Sequence, residues 1–443
     1  MIVTFGEASG GTGDLTFAGN GSTSIGTGTR TFNVLNTTFL AGGIVGSGAS
    51  GSIIKTGTGT LILYGSNTYQ GATTINTGTL QLGNGGTTGA LSTSSAITVN
   101  GTLAFNRSDD ITQGTHFSTA AIGGTGSLVQ NGTGNLTLNA ANTYTGGTTL
   151  NTGTVVIGNS AGAGSGTITQ ANASSLLKFD TTGTITNVMS VYNVLATQSA
   201  TLSGAITVNN ATWDIETGDT LTVSGDISGS GGVTKIGNGT LILSGLNSYN
   251  GSTVVNTGTL NANSTNALGS TSSVVVSNGG SLLVTAGDSI NDSAGVTLAG
   301  GTLAVNGTFN ESVGLLTLSA NSIIDLNGFT GTLRFGGVGS WASNTTLAIW
   351  NWNGINQSGT AVGNGANNRH VVFSDNSGLG AYLDRISFYS DNGSSFAGAG
   401  FEQAFSGGGT EIIAVPEPEA YVAGILLVLS SAIWLWRRRI QKA

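Results

Sequence analysis

The chain has 443 residues, of which 75 are glycine, 2 are proline and none is cysteine, with 12 basic and 20 acidic side chains. Glycine without proline excludes collagen, and 38% hydrophobic against 7% charged residues excludes charge-driven disorder. Lack of cysteine removes disulfides and thiol chemistry, and the scattered basic residues of the body offer no stripe to phosphates, which argues against nucleic acid as a partner.

From the N-terminus, Met1 to Asp14 is glycine-rich polar chain, and the first basic residue is Arg30. A basic segment followed by an apolar run, the pattern of a secretory leader, is not found there, so either the protein stays inside or the true start lies upstream, and the other end of the sequence decides for the second. Three segments, 55–83, 130–158 and 235–263, then align without gaps. Each has a tyrosine (Tyr69, Tyr144, Tyr249), a glycine two residues later (Gly71, Gly146, Gly251) and an Asn-Thr-Gly triplet starting at Asn76, Asn151 or Asn256. Leu61 with Leu63, and Leu80 with Leu82, give the period of two that marks a half-buried strand. Asparagine and glycine suit left-handed corners, and β-branched threonine suits strands.

One such unit cannot bury its leucines alone. Stacking units at about 4.8 Å supplies each strand's hydrogen-bond partners and builds a continuous core. Proline would break these ladders, which accounts for its absence from the first 415 residues. The tyrosines are 75 and 105 residues apart, so degenerate coils intervene, with weaker strand–turn–strand echoes opening at Ala96, Ala205 and Ser273. The expected fold is all-β: a right-handed parallel β-helix, or β-solenoid, over 1–310, with about 13–15 coils of roughly 20–25 residues.

Composition shifts near residue 311. Trp341, Trp350 and Trp352 crowd together, and Phe329, Phe335, Phe373, Phe388, Phe401 and Phe405 add aromatic bulk. This predicts an aromatic-rich C-terminal β module over 311–406, capping the solenoid, followed by a linker at 407–415. The tail at 416–443 has three parts: Pro416-Glu417-Pro418, an uncharged run from Ala420 to Trp436, and Arg437-Arg438-Arg439. As a helix the run spans about 25 Å, close to a bilayer's hydrocarbon thickness, so 420–436 is read as one transmembrane helix. The arginines behind it act as a stop-transfer signal on the cytoplasmic side, which leaves the body outside. The two prolines keep 416–418 extended and out of helix or sheet.

Catalytic and metal chemistry have little to build on. His116 and His370 stand in different parts of the chain without ligand neighbours, so no metal and no cofactor is expected, and a Ser-His-Asp triad lacks material. Gly46-Ser-Gly-Ala-Ser-Gly51 matches Gly-x-Gly-x-x-Gly only formally, because no helix follows. Gly10 to Asp14 falls one residue short of a calcium-binding nonapeptide. Asp109 and Asp110 are adjacent and would point to opposite faces of a strand. Asp214 and Glu216 alternate, so they share one face and form the candidate catalytic pair. They leave an alternative open, a polysaccharide lyase or glycoside hydrolase on a β-helix scaffold, against the simpler reading of solvated outward carboxylates.

Two resemblances rest on these residues. The pattern GTLxLxGxNTYxGxTxxNxGTL of 55–83, 130–158 and 235–263 resembles the autotransporter-associated β-strand repeat of bacterial surface proteins. The chain departs from autotransporters in having one helix-length apolar run after residue 420 rather than the alternating strands of a membrane barrel. The tail resembles the PEP-CTERM sorting signal of Gram-negative bacteria. That resemblance implies export, recognition of Pro416, Glu417 and Pro418 by an exosortase-type sorting protease, and anchorage in the inner membrane before processing. It implies a final location at the outer surface or in the extracellular matrix. The function expected from both is that of a non-catalytic structural or adhesive protein, with extracellular polysaccharide as the contact partner.

Overall fold

The computed structural model describes residues 1–6, 14–19, 21–47, 51–352, 369–389, 391–404 and 408–415. The sorting motif, the apolar run 420–436 and Arg437 to Arg439 lie outside these, as do most of Gly10 to Asp14 and part of Gly46 to Gly51. Among the described residues no helix is long and apolar enough to cross a membrane. The chain forms two compact units, Met1–Gly251 and Ser252–Ala443.

The first unit is a parallel β-helix with three sides. Side one stacks Ile2–Phe5, Thr29–Val34, Ser52–Thr56, Thr73–Ile75 and Ile97–Val99. Side two runs unbroken through eleven strands, from Leu15–Phe17 to Ile227–Ser228. Side three begins at Ile111–Thr112 and ends at Val233–Ile236. Side one is looser between Gly123 and Gly166, where turns replace strands, and then resumes with Thr184–Ile185, Ala200–Leu202, Thr220–Val223 and Thr240–Leu243.

Alternation sends every second side chain inward, and register stacks like on like. On side two Leu61, Leu80, Leu103 and Leu128 lie directly over one another, all fully buried. Each such leucine contributes roughly 1.5–3 kcal/mol of burial.

The three sequence repeats do not stack on a common side. The first two strands of the first copy, Ser52–Thr56 and Thr60–Leu63, occupy sides one and two. Those of the second copy, Ser127–Gln130 and Asn135–Leu138, occupy sides two and three. Those of the third, Val233–Ile236 and Thr240–Leu243, occupy sides three and one. Each copy is therefore turned by one side relative to the last. The unequal intervals of 75 and 105 residues both amount to whole coils plus one side.

The corners carry the polar chemistry. Lys55 points inward between Phe32 and Ile75, is fully buried, and curls its ammonium into the turn that follows its strand. There Nζ donates to the carbonyls of Thr56 (2.9 Å), Gly57 (2.9 Å) and Thr77 (3.2 Å). Lys235, stacked on Trp213, does the same at Ile236 (2.6 Å) and Gly237 (2.7 Å). Gln130 takes this place in the second copy, its Nε2 donating to Gly132 (3.0 Å) and Gly134 (2.8 Å). The glycine of the Asn-Thr-Gly triplet completes the corner with a left-handed backbone, φ +68° at Gly78 and +64° at Gly153, where a side chain would strain.

The second unit also stacks in parallel. Leu260, Leu282, Leu303, Ile324, Ile349 and Phe388 form one inward column. Pairing passes through residue 311 without a break, since Val296 lies over Leu316 and Leu303 over Ile324. The aromatic stretch expected as a β module from 311 therefore carries on the parallel pairing of this unit, with ring pairs such as Phe335–Phe373 and Trp341–Tyr382. Only the last strands turn antiparallel. Phe396–Ala404 pairs with Ile386–Tyr389 and with Thr410–Val415, which returns to Arg369–Phe373. The segment 407–415, expected as a linker, is thus largely a strand. It ties together the ends of two ladders, leaving those edges no free template for another chain.

Because the buried Lys55 donates to three corner carbonyls, Lys55→Met should lower stability by about 2–4 kcal/mol, whereas Lys55→Gln, which reproduces the second copy's corner, should cost under about 1.5 kcal/mol. Urea unfolding of the two variants checks this.

Candidate functional site

Each repeat carries a tyrosine with an asparagine two residues before it (Asn67, Asn142, Asn247). The structure turns them inward. Tyr69 is fully buried, and its hydroxyl bonds Thr73 Oγ1 at 2.7 Å. Tyr144 repeats this with Thr148 at 2.6 Å, and Tyr249 is 1% exposed. Burial holds both the Tyr69 and Tyr144 phenols well above their ordinary pKa. Two residues before each tyrosine stands an asparagine that bridges coils. Asn67 Oδ1 accepts from the Ile44 amide (2.9 Å), while its Nδ2 donates to Gly65 (3.1 Å) and Ala90 (2.8 Å). Asn142 accepts from Ile122 (2.8 Å) and donates to Gly162 (2.7 Å), and Asn247 accepts from Ile227 (2.8 Å). These residues stitch the scaffold, leaving their polar groups unavailable to a ligand.

Asp214 lies outward near the end of the strand Ile206–Ile215, and Glu216 is exposed just past it. In the coils before and after, the residues facing Asp214 are Leu195 and Ile236, and the charge nearest in effect is Lys235. No second acid converges on Asp214 through the ladder. Among the described residues no cluster of three or more His, Asp or Glu side chains forms a metal site. His116 accepts the Thr112 amide on Nδ1 (3.0 Å), which fixes it locally. His370 meets Glu411 at 2.7 Å, joining the strand Arg369–Phe373 to the antiparallel strand Thr410–Val415. Arg107 grips Asp109 with two bonds (2.8 and 2.7 Å) and pulls its carboxyl below the usual range, while Asp110 points away to accept the Asn135 amide.

One carboxyl has a pKa suited to acid–base work: Glu311, pushed up to about 7 by burial. It is fully buried, and both of its oxygens are held by the amides of Ser289 (3.0 Å) and Ile290 (2.8 Å). Its role is to hold a loop, and nothing in the sequence pattern singled it out.

One concavity among the described residues lies on side one of the first unit, where the second copy's turns replace strands. A groove of about 390 Å³ crosses three coils and is lined by Asn142, Thr143, Ser160, Ser165, Thr184, Thr186 and Asn187 with Ala161 and Gly164. No lining residue is charged. Asn142 and Asn187 (3% exposed each) brace the wall, the latter donating to Gly164 (3.0 Å) and Gly166 (2.6 Å). Sequence reading missed this site because its residues are common types and only coil stacking brings them together.

The passenger-associated-transport-repeat family model matches residues 53–82, 128–157 and 233–262, so the chain carries this autotransporter-associated repeat in three places. Over 264 residues, 52% of this chain, it is 32% identical to the adhesin BmaC autotransporter of Brucella suis biovar 1 (strain 1330). The match spans only 7% of that much longer protein. No solved structure matches.

The buried lysines make stability depend on pH in a defined window. Desolvation lowers both Lys55 and Lys235 from 10.5 to about 8. Between about pH 8 and 10.5 the unfolded state therefore holds more protons than the native state, and stability rises with pH. Above pH 10 the buried tyrosines reverse the trend, because their phenols ionise first in the unfolded chain. Thermal melts should show Tm climbing from pH 7.5 to pH 9.5, and the climb should vanish in a Lys55→Gln/Lys235→Gln double variant.

Proposed function

We propose that this repeat-bearing β-solenoid is a non-catalytic structural or adhesive protein of the bacterial surface. The observation that carries the reading is the division of labour in the repeats. Their recurring polar residues are consumed in holding coils together, which leaves outward faces of threonine, serine and asparagine as the surface presented to a partner. The similarity to an adhesin autotransporter supports a place at the cell surface. Extracellular polysaccharide is the partner that this uncharged, hydrogen-bonding surface suits best. The reading of Asp214 and Glu216 as a glycan-cleaving pair gains no support from Leu195 and Ile236 on either side of Asp214.

The same proposal gives the tail its task. Pro416, Glu417 and Pro418 are the recognition site for an exosortase-type sorting protease, and 420–436 with Arg437, Arg438 and Arg439 holds the chain in the inner membrane until cleavage. The processed body then reaches the outer surface or matrix.

Fractionation of cells expressing the chain, with C-terminal mass spectrometry of the surface form, tests this directly. The surface form should end near Pro418, and Ala at all three of Pro416, Glu417 and Pro418 should trap the chain in the membrane fraction. Intact protein ending at Ala443 in the matrix would refute processing, and release of sugar products from any glycan would refute the non-catalytic role.

A further inference from the structure

The groove on side one does not stand alone. The turns that line it lead straight into the strands of side two, and the outward column there is a ladder of hydroxyls. Register places Thr149, Thr169, Ser190, Thr207 and Ser228 one above another in five consecutive coils. At about 4.8 Å per coil the ladder extends some 19 Å. The segments bearing its first four members, 145–151, 165–172, 186–193 and 203–210, contain no charged residue. At their far ends amides follow, with Asn151 Nδ2 bonding Asn131 Oδ1 (2.7 Å) and Asn172 Nδ2 bonding the Asn151 carbonyl (2.9 Å). Side three offers a different surface, its outward column running Lys178, Leu195, Asp214 and Ile236.

We infer that the groove, continued by the hydroxyl ladder, is the docking site for an uncharged polysaccharide chain. This rests on the adhesive reading above and narrows it to one side of the first unit and one class of glycan. The groove's volume falls within the ~300–1,000 Å³ of ligand sites, and its wall is rigid because Asn142 and Asn187 are locked by bonds between coils. A sugar presents neutral donors and acceptors at short, regular intervals, and hydroxyls repeating coil by coil match such a ligand. An acidic glycan would need cationic partners, and neither the groove nor the ladder supplies one. A carboxylate desolvated there would be left unpaired.

The full chain in nonionic detergent can be tested by calorimetry against a soluble uncharged β-glucan and against polygalacturonate. The uncharged glucan should bind, with affinity unchanged between about 50 and 500 mM salt because no charge is screened. Ser165→Lys and Thr186→Lys, both at exposed positions, should each weaken it by at least about tenfold, while Thr212→Lys on side three should leave it unaltered. Undiminished binding in the groove variants would overturn the site and leave the adhesive reading standing. Tighter, salt-sensitive binding of polygalacturonate would overturn the ligand class. Binding to neither would remove polysaccharide as the partner altogether, whereas surface location is judged by the fractionation experiment. Matching melting curves of the variants and the parent show that the lysines act on binding and not on folding.

Discussion

The structure depends on one constraint: a strand in a stacked coil has hydrogen-bond partners only in the coils above and below. The ladders solve this along the sides for any sequence with the right alternation. They do not solve it at the corners, where the backbone turns and its carbonyls point into a drying interior. The repeat is best understood as a corner-solving device. Lys55, Gln130 and Lys235 each swing a donor into the turn that ends their strand. Asn67 and Asn142 connect three successive coils through one amide each, and the tyrosine beside each fills the space below. Placing an ammonium there costs enough desolvation to lower its pKa, so the corner must be worth more to the fold than that penalty.

How much of this was legible in the sequence follows from range. The period of two and the inward leucines are properties of neighbouring residues, so the strands and the β-solenoid could be read directly. The alignment of the three copies also held a clue to the corners, because a column of Lys, Gln and Lys is not a surface charge that a partner requires. The fate of Asp214 could not be read, since its neighbours are 19 and 22 residues away, at Leu195 and Ile236, and coil lengths vary. The groove was invisible for the same reason. Near residue 311 the side chains change in size while the parallel ladder goes on.

The turning of the repeats bears on function. Had the copies stacked on one side, their matching outward residues would have formed a linear array, the usual reason to read repeats as ligand-binding units. Turned by one side each time, they present no such array. What runs continuously along the first unit is side two, built from degenerate coils as much as from repeats, and it carries the uncharged ladder. The motif's polar side chains therefore serve the fold, bonding one coil to the next.

Cross-linking tests the turning of the repeats most directly, and the absence of native cysteine makes it clean. With each copy turned by one side, Ser127 lies over Thr102, at a coil spacing of about 4.8 Å that a disulfide spans. If the second copy kept the side of the first, Ser127 would lie over Ala96. The account predicts rapid, near-complete oxidation of a Thr102→Cys/Ser127→Cys chain and none in an Ala96→Cys/Ser127→Cys chain; the opposite pattern would contradict it.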